Sequence, residues 1–237
     1  MVILAVDTST RRCSMALMRD GEVVQGTDGA TEEAFASRVF SDLGYILGRA
    51  GMELRQIELF AVVTGPGSFT GLRVGLTAVK GWAEVLGRPI AGVSALEAIG
   101  AQAVRESIRE GALLAPVFDA RGGQLFGGLY RWKGVEGRLE AVGAEVVLSV
   151  EEYFDWVAAQ AGGETPLFVT TTPEVVKGAV AASRFAGAAV EEVSSELAPL
   201  VGRLGLAQFA RGEVLDAVSL EANYVRRSDA EVKWRGA

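Results

Sequence analysis

The chain runs one pattern twice. The stretch LAVDTSTRRCSMALMRDG (residues 4–21) takes an apolar strand into an acid, Asp7, then a second strand and a tight turn. The stretch APVFDARGGQLFGGLYRWKG (115–134) does the same around Asp119. Such a repeat constrains the fold more than composition does, because each copy must bury its apolar face against the same kind of layer. Periodicity fills in the first copy. VILAV and CSMALM read as strands, and the Asp-Gly of RDGE is a hairpin signal leading into VVQG. Between residues 31 and 51 the period changes, with Val39, Leu43, Ile46, Leu47 and Ala50 on one helical stripe. ELFAVVTG returns to strand, and Leu72, Leu76, Val79, Ala83 and Leu86 mark a second amphipathic helix. GRPI ends that helix and opens another strand.

The resulting order, β-β-β-α-β-α-β, resembles the ribonuclease H-like half-domain of actin-like ATPases and sugar kinases. The expected fold class is therefore α/β: an actin-like (ASKHA), duplicated ribonuclease H-like fold whose two half-domains each flank a mixed sheet with helices. The second half supplies a helix around VEEYFDWVAAQ, a strand PLFVTT, and helices near 174–182 and 197–211. The expected boundary lies in residues 105–111, giving half-domains 1–108 and 109–237. A chain of 237 residues, 49% hydrophobic, has enough apolar surface for this.

The absence of histidine removes much chemistry at once. It excludes Ser-His-Asp and Cys-His mechanisms, the commonest general base and every histidine metal site. One cysteine, Cys13, allows no intrachain disulfide. The start, MVILAVDTST, lacks a basic region before a long apolar run, and no stretch is long enough to span a bilayer. A cytoplasmic protein without membrane contact is expected. The net charge of -7 argues against gripping RNA alone, since counterion release needs a basic field, although a local basic patch is compatible with it. The C-terminal YVRRSDAEVKWRGA, with Arg226, Arg227, Lys233, Trp234 and Arg235, mixes charge with rings but reads as an ordinary terminal segment.

Phosphate binding is the chemistry left to weigh. In the actin-like fold the acid ending the first strand faces the nucleotide phosphates, and Asp7 holds that place, with Thr8, Ser9 and Thr10 as donors. A glycine usually follows two residues later so that the backbone can approach closely; here that place is Ser9. The later stretch TGPGSFTGLRVG matches neither G-x-x-x-x-G-K-[ST] nor G-x-G-x-x-G. Ser68 or Thr70 can still cap the following helix, whose free amides suit an anion. Candidate anion or nucleotide contacts are thus Asp7, Thr8, Ser9, Ser68 and Thr70. The alternative reading is a tight joint whose glycines let strand, loop and helix pack closely. Both helices also carry paired glycines, Gly44 with Gly48 and Gly71 with Gly75. Each interior glycine costs about 0.5–1 kcal/mol relative to alanine, which implies a use for the missing side chain.

The motifs ILAVDTST, VVTGPGSFTGLRVGLTAVKGWAEVLGRPIAGVSALEAI, DARGGQLF and EANYVRRSDAE together resemble the TsaB (YeaZ) family, from the first strand to the C-terminal tail. The resemblance implies a non-catalytic paralogue of TsaD, within the glycoprotease-like M22 superfamily. Its expected role is to bind and support the TsaD threonylcarbamoyltransferase, which forms threonylcarbamoyladenosine beside the tRNA anticodon. The implied partners are TsaD, the ATPase TsaE through the complex, tRNA indirectly, and a second copy of the chain when TsaD is absent. No cofactor of its own is implied beyond weak or partner-dependent ATP or ADP binding, and no metal. TsaD-like chains carry H-H-x-x-G-H where this one reads SALEAI, so Ala95 and Ile99 stand at the ligand places and neither can donate to a metal. Many TsaB chains have H-S-E early in the first long helix; here AFASRVF places Phe35 near the histidine. The expected partner surface is the helices at 36–48 and 71–86, through Phe40, Leu43, Gly44, Leu47, Gly75, Leu76, Val79 and Trp82. Two competing readings are an actin-like phosphotransferase using Asp7 with Asp119, and a peptidase, which lacks every usual ligand set.

Overall fold

The computed structural model describes residues 1–10, 12–27, 35–105, 108–134 and 137–225. The side chain of Phe35 and the segment from Arg226 onward lie outside the described residues. In chain order the elements are β1 Val2–Asp7, β2 Ser14–Arg19, β3 Glu22–Thr27, α1 Phe35–Ala50, a 3-10 turn, β4 Leu59–Gly65, α2 Phe69–Leu86, β5 Ile90–Ser94 and α3 Ala95–Gln102. Then follow β6 Leu113–Arg121, β7 Gln124–Gly127, β8 Tyr130–Lys133, β9 Arg138–Ala141, β10 Val146–Ser149, α4 Val150–Ala161, β11 Leu167–Thr170, α5 Pro173–Ala182, β12 Val190–Glu192 and α6 Ala198–Ala210. The expected order of the first half is present, element for element.

Two compact units result, and the chain divides differently from the expected 1–108 and 109–237. Unit one is Met1–Ala95 with Glu196–Tyr224; unit two holds Leu96–Ser195. The correction comes from α6, which packs on strands β1, β2, β4 and β5 rather than on the sheet of the second half.

In unit one the sheet order is β3-β2-β1-β4-β5. The first three strands are antiparallel neighbours; β1–β4 and β4–β5 are parallel. A strand buried on both faces needs apolar residues at every position, which is why VILAV does not alternate. Successive residues of β4 show the two faces. The ring of Phe60 lies 6.1 Å from that of Trp82 on α2, whereas Ala61 faces Gly205 of α6. Helices therefore cover both sides. The approach of α6 is close: a Cβ on Gly205 would stand 2.7 Å from Ala61 Cβ and 3.1 Å from Ala91 Cβ.

In unit two the sheet runs β10-β7-β6-β11-β12, with β8 and β9 extending from β6. Its core joins Leu125, Tyr153, Phe154, Val157, Phe168 and Val176. The Phe154 and Phe168 rings meet edge-on at 5.7 Å. The capping box at Ser149 and Glu152 starts α4, as Ser-x-x-Glu before an apolar run should.

Gly205→Ala is expected to destabilise unit one by about 1–3 kcal/mol, because two rigid β-carbons block the new methyl. Gly178→Ala, in an exposed turn of α5 with open space around it, should instead stabilise by about 0.5–1 kcal/mol. Urea midpoints of the two variants check this; a Gly205→Ala chain as stable as wild type contradicts the packing.

Candidate functional site

Two features stand out around α2, one closed and one open. The closed one is the joint between β4 and α2. Ser68 is the helix N-cap: its Oγ accepts from Gly71 N at 3.3 Å. Its own N–H donates to the Ser9 carbonyl at 2.6 Å. The loop thus lies directly on the end of β1. A Cβ on Gly67 would overlap the Ser9 carbonyl oxygen, and one on Gly75 would overlap Thr8 Oγ1. Gly65, at φ 135°, takes a conformation that side chains rarely adopt, and Asn223 fills the space beside it.

Beneath this lid sits Asp7, fully buried with Thr8 and Ser9. Its Oδ1 accepts from Ser9 N at 2.8 Å and Ser9 Oγ at 2.6 Å, while Oδ2 and Thr8 Oγ1 have no hydrogen-bond partner. Burial pushes the Asp7 carboxyl up to about 6, against the opposing pull of the two Ser9 bonds. This corrects the anion-site expectation. Asp7, Thr8 and Ser9 are sealed in, Ser68 is half-buried with its Oγ committed to the cap, and of the five only Thr70 is exposed. The amides of Ser9, Ser68 and Gly71, which a phosphate held here would draw on, are already paired within the protein.

Asp119, the second acid of the repeat, lies near the end of β6: its Oδ1 accepts from Arg121 N at 2.8 Å and its N–H donates to Thr172 Oγ1 at 3.0 Å. Ala95 and Ile99 are buried on α3. Among the described residues no cluster of three acidic or sulfur side chains could hold a metal. Burial raises the Cys13 thiol to about 11, which makes it a poor nucleophile.

The open feature is the outward side of the α1–α2 pair. Phe40 is 61% exposed and Tyr45 53%, while Val85 on α2 is 85% exposed. The Phe40 ring meets Trp82 edge-on at 6.1 Å, joining the helices into one surface. Around Gly44, Gly48 and Gly81 a Cβ would meet nothing within 4 Å. Of the expected partner contacts, Phe40 and Gly44 are exposed and Leu47 and Trp82 half-buried at the seam. Leu43, Gly75, Leu76 and Val79 are buried and belong to the core of their own unit. Gly75 is a correction in kind: its missing side chain makes room for Thr8, not for another protein. The sequence reading set Tyr45 beside Phe40 and Trp82, outside the apolar stripes, but missed Gly81 and Val85. Gly81 and Val85 stand four apart on one side of α2, outside its stripe of large apolar residues, and that spacing was the signal available.

Fold and site together define a protein of the actin-like, duplicated α/β class whose first strand end is closed. The fold is shared with the inorganic polyphosphate/ATP-glucomannokinase of Arthrobacter sp. strain KM (TM-score 0.51, 13% identity, 88% of this chain and 99% of that one). The chain belongs to the TsaB/YeaZ family. Residues 29–198 match the family model TsaD: tRNA N6-adenosine threonylcarbamoyltransferase. A relative from Bacillus subtilis strain 168, named tRNA threonylcarbamoyladenosine biosynthesis protein TsaB, is 29% identical over 99% of this chain and 98% of its own length. The solved structure of YeaZ from Pseudomonas aeruginosa superposes with a TM-score of 0.72 at 30% identity, covering 94% of this chain and 99% of that one.

The raised carboxyl sets a pH dependence. Between roughly pH 4 and pH 6 the folded state holds a proton on Asp7 that the unfolded chain releases, so stability falls as pH rises through this window. Asp7→Asn keeps an oxygen for the two Ser9 bonds and cannot ionise. The stability of wild type relative to the variant should therefore drop by about 2–3 kcal/mol between pH 4 and pH 7. Urea denaturation of both proteins across that range is the measurement, and a constant difference would place the Asp7 proton elsewhere.

Proposed function

We propose that this chain is an accessory, non-catalytic subunit in tRNA threonylcarbamoyladenosine biosynthesis, and that it works by docking the α1–α2 surface onto a TsaD-type catalytic subunit. The observation that carries the reading is the exposed surface of Phe40, Tyr45 and Val85 around open glycines, in a chain of this family that has no histidine. Rings flanking small residues let a partner helix approach closely and bury large apolar areas. An interface of ordinary size would bury roughly 1,200–2,000 Å². The closed joint at β1 supports a role without chemistry of its own, since the groups that would serve a nucleotide hold α2 in place instead.

In this reading the ATPase of the pathway, TsaE, and the tRNA are engaged through the assembled complex. No cofactor is assigned to this chain, and an ATP or ADP site touching it would need groups from a partner. Alone, the same surface pairs with a second copy, because an isologous contact covers it most simply. Among the described residues no helix is long and apolar enough to cross a membrane, and the working place assigned to the chain is the cytoplasm.

The test is capture of the same organism's purified TsaD. Gly81→Glu with Val85→Glu adds charge where there is open space, so the monomer should melt as wild type does. Capture should weaken about 1,000-fold, taking each change as a hot-spot loss of about 2 kcal/mol. Undiminished capture by the folded double variant refutes the docking surface. Gly75→Leu is unsuitable for this purpose, because it would disturb the joint itself.

A further inference from the structure

A groove of about 360 Å³ lies on the other flank of α2, where the chain crosses it between Leu220 and Tyr224. Leu76, Leu220 and Ala222 form its apolar wall, and Glu221 lines it too. Arg73, Thr77 and Lys80 stand along it at spacings of four and three residues, which place them on one helical stripe. The ring of Tyr224, 43% exposed, lines the same groove.

Arg73 is held in advance of any ligand. Its guanidinium carbon sits 3.8 Å over the Phe69 ring, and its Nε donates to Tyr224 Oη at 3.2 Å. The Phe69 and Tyr224 rings are 5.2 Å apart. Those contacts fix the guanidinium plane and leave its two terminal nitrogens without a partner among the described residues. Lys80 likewise makes no ion pair among them, neither with Glu84 one turn on nor with Glu221. In a chain of net charge -7, two cations held in no ion pair beside an exposed ring, with Glu221 as the one carboxylate of the lining, give this groove more positive than negative charge.

We propose that this groove binds one nucleotide unit: a base stacked against Tyr224 and the apolar wall, with its phosphate between Arg73 and Lys80. A planar guanidinium matches a phosphate with paired N–H groups, and the ammonium adds a point charge about two helical turns along. Aromatic stacking tolerates any base, and the Glu221 carboxylate is an acceptor for an exocyclic amino group. The proposal rests on the reading of this chain as part of a tRNA-modifying assembly, and it adds direct contact with an unpaired nucleotide to that reading.

The test uses the full chain with fluorescein-labelled hexa-adenylate at low salt, read by fluorescence anisotropy, with AMP, inorganic phosphate and hexaglutamate as competitors. Saturable binding is expected. Tyr224→Leu should weaken it between roughly 5-fold and 100-fold, while Tyr224→Phe, which keeps the ring, should stay within about 2-fold of wild type. Lys80→Gln should reduce the slope of log K against log salt by about 0.7. Displacement by AMP only at concentrations far above that of the hexamer identifies a nucleotide within a strand; displacement at equal concentration identifies the free nucleotide, and either supports the site. No saturable binding, binding equal in wild type, Tyr224→Leu and Lys80→Gln, or equal competition by phosphate or hexaglutamate overturns it. Capture of TsaD is read in parallel. Lys80→Gln should leave capture intact, so loss of capture by the α1–α2 variants and loss of the RNA signal fail independently.

Discussion

The contact between the start of α2 and the end of β1 governs what unit one can do. Ser68 N–H donates to the Ser9 carbonyl, and Gly67 and Gly75 bring loop and helix within reach of Ser9 and Thr8. A phosphate-binding loop needs its amides free and its backbone open. Here the amides of Ser9, Ser68 and Gly71 are already paired, and Ser9 and Thr8 take up the space. With that end of the helix fixed, the phase of α2 is fixed as well. Leu72, Gly75, Leu76, Val79 and Ala83 turn inward, and Gly81 and Val85 must turn outward. The closed joint and the open surface are two consequences of one packing arrangement.

Most of unit one was legible because its signals are local. Strand runs, the Asp-Gly turn and the helical stripes each declare themselves within ten residues or so. The candidate surface was only half legible, and the reason is rotational. Gly75 and Gly81 look alike in sequence, both small residues in one amphipathic helix. Which of them meets the rest of the chain depends on the side on which Phe60 and Ala61 point, and that is set by strand pairing across the sheet. A stripe of large apolar residues marks the buried side of a helix. The same logic, applied to the residues left over, would have placed Gly81 and Val85 on the outward side.

Unit two and the last helix were less legible for a different reason. The echo around Asp119 was visible, yet β8 to β10 are strands of four residues each, close to the turns that interrupt them. α6 shows small residues at Gly202 and Gly205, a mark of close approach. Nothing local says that the surface approached is Ala5, Ala61 and Ala91, more than a hundred residues earlier. Long-range return of a helix is a tertiary fact, and a boundary drawn from sequence order alone cuts through it.

Asp7 links the buried joint to the position of α2. A buried carboxyl with one unpartnered oxygen is costly, and the shift of its titration to about 6 expresses that cost. Its two bonds, however, hold Ser9 N and Ser9 Oγ, and the Ser9 carbonyl in turn receives Ser68 N–H. The acid therefore orients Ser9, Ser9 anchors the helix cap, and the cap fixes the phase of α2. Asp7 thus acts as a positioning residue, reaching the exposed surface through a chain of hydrogen bonds.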